Sequence, residues 1–267
     1  MHSSYPQLVD GPSVTQPSQR IVDLVHERGN AGVSELSDLF RVSEVTVRAD
    51  LSSLARRGLV VRTHGGAMLP ERQPTELTFA TREVSNADLK RRIGIAAADL
   101  IENGHSVVLD ASTTALQVAR VLRYRPALTD VTVITNGVHT ALELLGLPGV
   151  STILTGGQLR STAVSLTGAW ATDLLAKVHA SIGFFGAKGL ATVQGLTDVN
   201  VQEVEMKAAM AAVCERVVAV VDHTKLGKVG LATFVPLANL SLVITDDGAD
   251  RHLVAQLQRA GVEVQLV

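Results

Sequence analysis

The sequence predicts an α/β protein in two parts, a small helical head closed by a β-hairpin and a larger layer of helices on a mostly parallel sheet. Three observations predict this. Two short amphipathic segments between residues 33 and 57 lead into a β-prone run, Leu59-Val60-Val61. Pro70 and Pro74 then interrupt every periodicity. From Ala87 onward, continuous Val/Ile runs alternate with helical stripes, the mark of strands buried on both faces. A chain of 267 residues with 46% hydrophobic content can bury a small core and a medium one.

Residues 1–17 are polar, carry Pro6, Pro12 and Pro17, lack a basic-then-apolar signal pattern, and read as a loose tail. The head then spans 18–69. Ile21, Leu24 and Val25 make one face of a support helix that Gly29 closes. Ser34 can cap a helix carrying Leu36, Leu39 and Phe40, and Ser43 can cap a second in which Val47, Leu51 and Leu54 form one stripe before Gly58 ends it. Leu59 to Val61, a turn at Gly65-Gly66, and the return Ala67-Met68-Leu69 predict a two-stranded wing. Residues 70–86 read as a linker, and 87–267 as the second domain.

That second domain opens with a helix whose stripe is Leu89, Ile93, Ala97 and Leu100. Strands follow at 106–110, 131–135, 151–155, 181–185, 216–222, 242–246 and the closing 262–267. Helices lie between them, starting near 114, 138, 168, 201 and 250.

Composition narrows the function. Aromatic content of 3% argues against stacking on splayed bases, so duplex DNA suits the head better than single strands. The net charge of −2 excludes binding by the whole surface, but Arg41, Arg48, Arg56, Arg57 and Arg62 outnumber Glu44 and Asp50 between residues 41 and 64. Cys214 is the single cysteine, so no intramolecular disulfide forms and a reducing cytoplasm is expected. It reads as a small buried hydrophobe. No apolar run approaches the ~20 residues that span a bilayer. The sequence assigns neither a metal nor a cofactor.

The outer face of the second helix carries Val45, Arg48, Ala49, Ser52 and Arg56. A solvated face usually offers charge; this first turn offers valine and alanine. A core helix with a ragged surface is one explanation. The other is a helix end made for the major groove, where Arg48 reaches a guanine edge or a phosphate and Val45 and Ala49 touch thymine methyls. Arg62 and His64 at the wing tip would meet the phosphate backbone. With Ser34, Ser43 and Thr46, these residues make up the expected DNA-facing set.

In an open α/β sheet, ligands bind beyond the carboxyl ends of the strands. Those ends carry Asp110, Thr135-Asn136, Gly156-Gly157, Gly186-Ala187-Lys188, Asp222-His223 and Asp246-Asp247. Ser112, Thr113 and Thr114 stand where the next helix exposes its first amides, which suits a phosphate or an ordinary N-cap. The glycines and lysine of a P-loop are absent, and so is a dinucleotide fingerprint. Asp198, Glu203, Glu205 and Lys207 form a second cluster, in which Glu203 and Lys207 share a helix face as a site or as a solvated salt bridge.

Helix, turn, helix and the tail R-x-H-G-G-A at 62–67 resemble the winged helix-turn-helix of DeoR-family bacterial repressors. Residues 76–267 resemble that family's effector domain through LDASTT (109–114), TN (135–136), GG-x-L-R (156–160), SLTG (165–168), FFGAKGL (184–190), GLTD (195–198), EVEMK (203–207) and DHTKLG (222–227). The sequence departs from the family at Ala49, where a second basic residue is usual, at Ser112, usually glycine, and at His223-Thr224, usually two serines.

The resemblance implies a sheet domain similar to ribose-5-phosphate isomerase and CoA-transferase folds, sensing phosphorylated sugars or related metabolites. It implies that Asp110 and Ser112, Thr113 and Thr114 cradle a phosphate, with Asn136, Gly156, Gly157, Lys188, Asp198, Glu205, Lys207 and Lys225 lining the rest. The expected protein is a transcriptional regulator, a repressor of a carbohydrate operon, that binds double-stranded operator DNA as a homodimer or homotetramer. The alternative is a sugar-phosphate isomerase with Glu205 or Asp198 as general base and Lys207 stabilising the enediolate.

Overall fold

The computed structural model describes residues 20–22, 24, 25, 28–56, 59–63, 65–68 and 76–267, with the side chain of Arg56 outside that set. The chain divides into two compact units, Met1–Gln73 and Pro74–Val267.

In the first unit, residues 20–22, 24, 25 and 28 are helical, and Gly29 turns the chain with φ +80°. Strand β1 (Asn30–Gly32), which the sequence did not suggest, leads into the helix Val33–Phe40. That helix starts one residue before Ser34. Gly32 occupies the cap position, its N–H donating to the Glu35 carboxylate at 3.3 Å, while Ser34 is exposed in the first turn. The expected Ser34 cap is therefore corrected: a glutamate three residues past the cap satisfies the free amide.

Ser43 does cap the helix Glu44–Arg56, its Oγ accepting from Thr46 N at 3.1 Å. Val47, Leu51 and Leu54 are buried, as are Leu36, Leu59 and Val60 of the same unit. The wing is β2 (Val61–Arg62) and β3 (Gly66–Met68), paired antiparallel, with β3 also paired to β1. A Cβ at Gly66 would lie 2.1 Å from the Ala31 carbonyl, so only glycine lets these strands approach. Arg57, Gly58, His64 and Leu69 lie outside the described residues.

The second unit begins earlier than expected. The helix Phe79–Val84 falls within the stretch assigned to a linker, with Phe79, Thr81 and Val84 buried and Thr78 as its cap. The helix Ala87–Ala98 follows. Then come β4 (Ser106–Leu109), the helix Thr113–Leu122, β5 (Val131–Thr135), the helix Val138–Leu144 and β6 (Val150–Leu154). An antiparallel hairpin of β7 (Gln158–Arg160) and β8 (Ser165–Thr167) precedes the helix Ala169–Leu175 and β9 (Ala180–Phe185). Next are β10 (Gly189–Ala191), β11 (Gly195–Asp198), the helix Val201–Ala212, β12 (Cys214–Val220), β13 (Ala232–Val235), β14 (Leu242–Thr245), the helix Arg251–Arg259 and β15 (Glu263–Leu266). Every major strand and helix the sequence predicted is present. The hairpin β7–β8 and the antiparallel trio β10–β11–β13 were not foreseen.

The main sheet is seven-stranded and all parallel, in the order β15-β14-β12-β9-β4-β5-β6. Alternate residues serve opposite faces. Val107 and Leu109 pack with Ile93, Ala97, Val118 and Leu122 on one side, and Val108 packs with Met206, Met210 and Leu175 on the other. Burial on both faces explains the unbroken aliphatic runs. The strand order reverses between β4 and β9, which leaves a crevice beyond their carboxyl ends.

Candidate functional site

The helix Glu44–Arg56, the second of the helix-turn-helix, presents an unusual surface. Val45 is 75% exposed, with Thr46, Arg48 and Ala49 exposed beside it. The buried stripe of Val47, Leu51 and Leu54 lies on the opposite side of the helix. The Arg48 guanidinium pairs with Glu44 at 2.9 Å, both side chains about half exposed. Ser52 donates to the Arg48 carbonyl at 2.6 Å and accepts from Arg62 Nη1 at 2.9 Å, so the wing is tied back to the helix. Ser43 and Ser34 are also exposed.

In the second unit the crevice at the strand reversal is a cavity of about 90 Å³. It is built around a buried lysine. Lys207, from the helix Val201–Ala212, donates to Asp198 Oδ2 at 2.7 Å and to the Gly186 carbonyl at 2.9 Å, and stands 3.3 Å from Asp110 Oδ2. Burial works against its charge, but Asp198 and Asp110 more than offset that and hold the ammonium above the usual lysine range. Asp198, pushed up by burial and pulled down harder by Lys207, lies below the usual carboxylate range. Burial pushes Asp110 up against the pull of Lys207. Asp110 also accepts from Ser112 N at 3.0 Å and Gly186 N at 3.1 Å, locking the ends of β4 and β9 together. The Glu203–Lys207 pair read as a possible surface salt bridge is instead two buried side chains.

Ser112 caps the helix Thr113–Leu122 by accepting from Ala115 N at 3.1 Å, and it lines the cavity with Thr113 and Thr114. Lys188, Asp198, Lys207 and Lys225 line it too, and Asp110 lies directly behind. Four expected lining residues do not. Asn136 is buried and donates to the Leu166 carbonyl at 3.2 Å. Gly157, at φ +109°, allows the chain to pass the Thr167 carbonyl, and Gly156 also serves this turn with φ +75°. Glu205 is exposed, two residues round the helix from the face that carries Glu203 and Lys207.

Other residues complete the cavity. Glu203 lines it and accepts from Ser165 Oγ and from Arg160 Nη1 at 2.5 Å, while Arg160 Nη2 reaches Glu76 at 2.6 Å. Asp222 accepts from Thr224 N at 3.0 Å and lies 3.6 Å from Lys225 Nζ. Burial raises the Asp222 carboxyl, and Lys225, Thr224 and Lys90 together bring it below its usual value. Lys90 donates to the carbonyls of Arg82 and Ser85, and burial lowers it to about 7. Burial, reinforced by the neighbouring Arg82 charge, lowers Lys188 to about 8. Nothing in the sequence singles out Arg82 or Lys90, because the first lies in the stretch read as a linker and the second on a helix read for its apolar stripe.

A winged helix-turn-helix with an apolar and arginine-bearing outer face, joined in one chain to a parallel α/β unit with a polar cavity at its strand reversal, defines a DNA-binding regulator with a sensor domain. The comparisons agree. The DeoR-like helix-turn-helix domain matches residues 18–73 and the DeoR C terminal sensor domain residues 85–247. The chain belongs to the DeoR family of transcriptional regulators.

It is 36% identical over 247 residues to the HTH-type transcriptional regulator GolR of Listeria innocua, covering 92% of this chain and 96% of that one. It is 34% identical to a putative aga operon transcriptional repressor of Escherichia coli O157:H7, covering 95% of each. It is 30% identical to the glycerol-3-phosphate regulon repressor of Escherichia coli, covering 87% of this chain and 90% of that one. Among solved structures, a D-ribose-5-phosphate isomerase in complex with phospho-erythronic acid aligns with a TM-score of 0.40 at 13% identity, covering 52% of this chain and 54% of that one, too distant to bear on function. The isomerase alternative is not favoured: these relatives are regulators, Glu205 lies off the cavity, and Lys207 is already engaged with two carboxylates and a carbonyl. Among the described residues no helix is long and apolar enough to cross a membrane.

Proposed function

We propose that this protein represses a carbohydrate-metabolism operon, binding operator DNA through its winged head and responding to a phosphorylated sugar or related metabolite in the cavity of its sensor domain. The observation that carries the DNA half is the exposed turn of Val45, Arg48 and Ala49 above a fully buried Val47, Leu51 and Leu54. Ser43 and Thr46 flank that turn, and Arg62, with Arg56 and His64 expected beside it, meets phosphates.

In the sensor, Lys188 and Lys225 with the hydroxyls of Ser112, Thr113 and Thr114 favour an anion, while Glu203 and Asp198 offer acceptors for sugar hydroxyls. The named relatives that govern the aga operon and the glycerol-3-phosphate regulon support this choice. A single winged module buries little surface, so a homodimer or homotetramer on paired half-sites supplies the affinity.

The ligand acts by linkage: it shifts operator affinity only by its unequal affinity for the two states, about 1–3 kcal/mol in typical cases. The test is a thermal-shift screen of phosphorylated sugars, followed by operator titrations with and without each hit. A hit that changes operator affinity is expected; failure of every phosphate ester to raise the melting temperature overturns the sensor assignment.

A further inference from the structure

We infer that Arg82 is an effector-binding residue whose guanidinium closes over the ligand's anionic group, making the helix Phe79–Val84 the element that registers occupancy of the cavity. The inference rests on the anionic-metabolite reading of the cavity and adds to it a residue and a route.

Arg82 lines the cavity from a helix on its rim. Its Nε is buried with no hydrogen-bond partner, and among the described residues no carboxylate pairs with its guanidinium. The adjacent Glu83 is not available to it, being paired with Arg120 at 2.7 Å. The carboxylates that line the cavity are committed elsewhere, Asp198 to Lys207, Asp222 to Lys225, and Glu76 and Glu203 to Arg160, while the Arg82 charge helps lower both Lys188 and Lys90, and no ion pair to Lys188 is present among the described residues. Buried donors are nearly always satisfied, and neighbouring cations with no carboxylate paired to them favour an added anion. An orphaned Nε–H and an unpaired ammonium lining the same cavity are an arrangement an anion completes. A guanidinium does this bidentately, which a lysine cannot.

The helix that carries Arg82 has six residues, too few to be stable by itself, so tertiary ties hold it. Phe79 N donates to the Thr162 carbonyl at 2.7 Å, and the Phe79 ring stacks on His139 at 4.4 Å. At the other end, Lys90 holds the carbonyls of Arg82 and Ser85. A ligand bridging Arg82 to Lys188 adds a tie from the middle of the helix to the sheet edge. This helix is the first element of the sensor unit, so the chain coming from the wing reaches the sheet through it.

The test compares wild type, Arg82→Gln and Arg82→Lys in the full chain. The probes are inorganic phosphate, glycerol 3-phosphate, glucose 6-phosphate and fructose 6-phosphate, with binding by calorimetry and amide hydrogen exchange followed over residues 79–84. For a probe that binds wild type, Arg82→Gln should lose about 10- to 100-fold in affinity and Arg82→Lys recover only part of it. Ligand should slow exchange of residues 79–84 in wild type, and fail to do so in Arg82→Gln even at saturation. Unliganded melting temperatures separate a folding defect from a binding one, and Arg82→Lys decides should the glutamine variant not fold. Wild-type affinity in either variant, or unchanged exchange in liganded wild type, overturns the inference and leaves the cavity's reading intact. If no probe binds wild type, the cavity's reading fails and this assignment falls with it.

Discussion

Arg62 on the wing donates from Nη1 to the Ser52 hydroxyl of the recognition helix at 2.9 Å, and Ser52 in turn donates to the Arg48 carbonyl at 2.6 Å. The residue expected to meet phosphates is thus also the strut that sets the wing's angle to the helix. Ser52→Ala removes the strut and keeps the charge. It should lower operator affinity about three- to tenfold, the worth of one hydrogen bond, with base preference and salt slope retained. Arg62→Ala should weaken all sequences alike and flatten the slope of log K against log salt by about one unit. Titrations at several salt concentrations distinguish the two; wild-type affinity in Ser52→Ala would mean the strut does not matter on DNA.

The pair of Arg48 and Glu44 sets up a second comparison. At 2.9 Å and half exposed, it is worth about 0–1 kcal/mol in the free protein, so DNA can take the guanidinium away cheaply. Arg48→Ala should cost about 1–3 kcal/mol and relax preference at one base pair. Glu44→Gln removes a competitor and a like charge facing phosphates, and should strengthen binding to every duplex. Competition assays with single-base operator variants measure both; equal losses of specificity in the two mutants would assign the reading role elsewhere.

What the sequence disclosed follows from how local each signal is. The stripe of Val47, Leu51 and Leu54, and strands such as Val131–Thr135, are written in consecutive residues, and the structure has them where expected. The strands' carboxyl edge was legible because a parallel sheet puts every strand's carboxyl end on one side, and Asp110, Ser112 and Lys188 lie at the cavity there or directly behind it. Long-range pairing was not legible. Nothing near Glu203 announces that Arg160, 43 positions away, and Ser165 will bury it, and the family resemblance put the exposed Glu205 in the lining instead. Glycines misled in the other direction: Gly156 and Gly157 serve a turn that needs positive φ, which in one dimension looks the same as a ligand loop.

Lys207 predicts how the cavity fails. Among the described residues it is the only cation in an ion pair with Asp198, at 2.7 Å, or with Asp110, at 3.3 Å, and all three side chains are buried or nearly so. Lys207→Met leaves two carboxylates facing each other without a counter-charge. Breaking a buried pair from one side costs about 3–5 kcal/mol, and denaturant unfolding of the full chain should show a loss of that order. Asp198→Asn, which keeps a hydrogen-bond acceptor at a site more open to solvent, should cost less. The reverse ranking would mean that Lys207 is not the hub of the edge.

Lys188 should make ligand affinity depend on pH in a direction opposite to that of stability. In the free protein its ammonium titrates at about 8, lowered first by burial and then by Arg82. A bound phosphate ester favours the charged form and raises that value. Below about 8 this lysine is charged with or without ligand, and it contributes no slope to affinity. Above it, binding must take up a proton, so affinity falls by up to about tenfold per pH unit. The ester contributes no slope there, because its second proton leaves near ~6. Stability of the unliganded protein behaves otherwise. The unfolded chain keeps both Lys90 and Lys188 protonated up to the ordinary value of 10.5, whereas the native state releases those protons from about 7 and about 8 upward. The native state therefore gains relative to the unfolded one as pH rises through that window. Calorimetry in buffers of different ionisation enthalpy, paired with unfolding curves between pH 7 and 9.5, separates the two effects. Lys188→Met should bind more weakly at pH 7, lose the affinity slope, and keep the part of the stability slope that belongs to Lys90. An affinity slope that survives in Lys188→Met would place the titrating group elsewhere in the cavity.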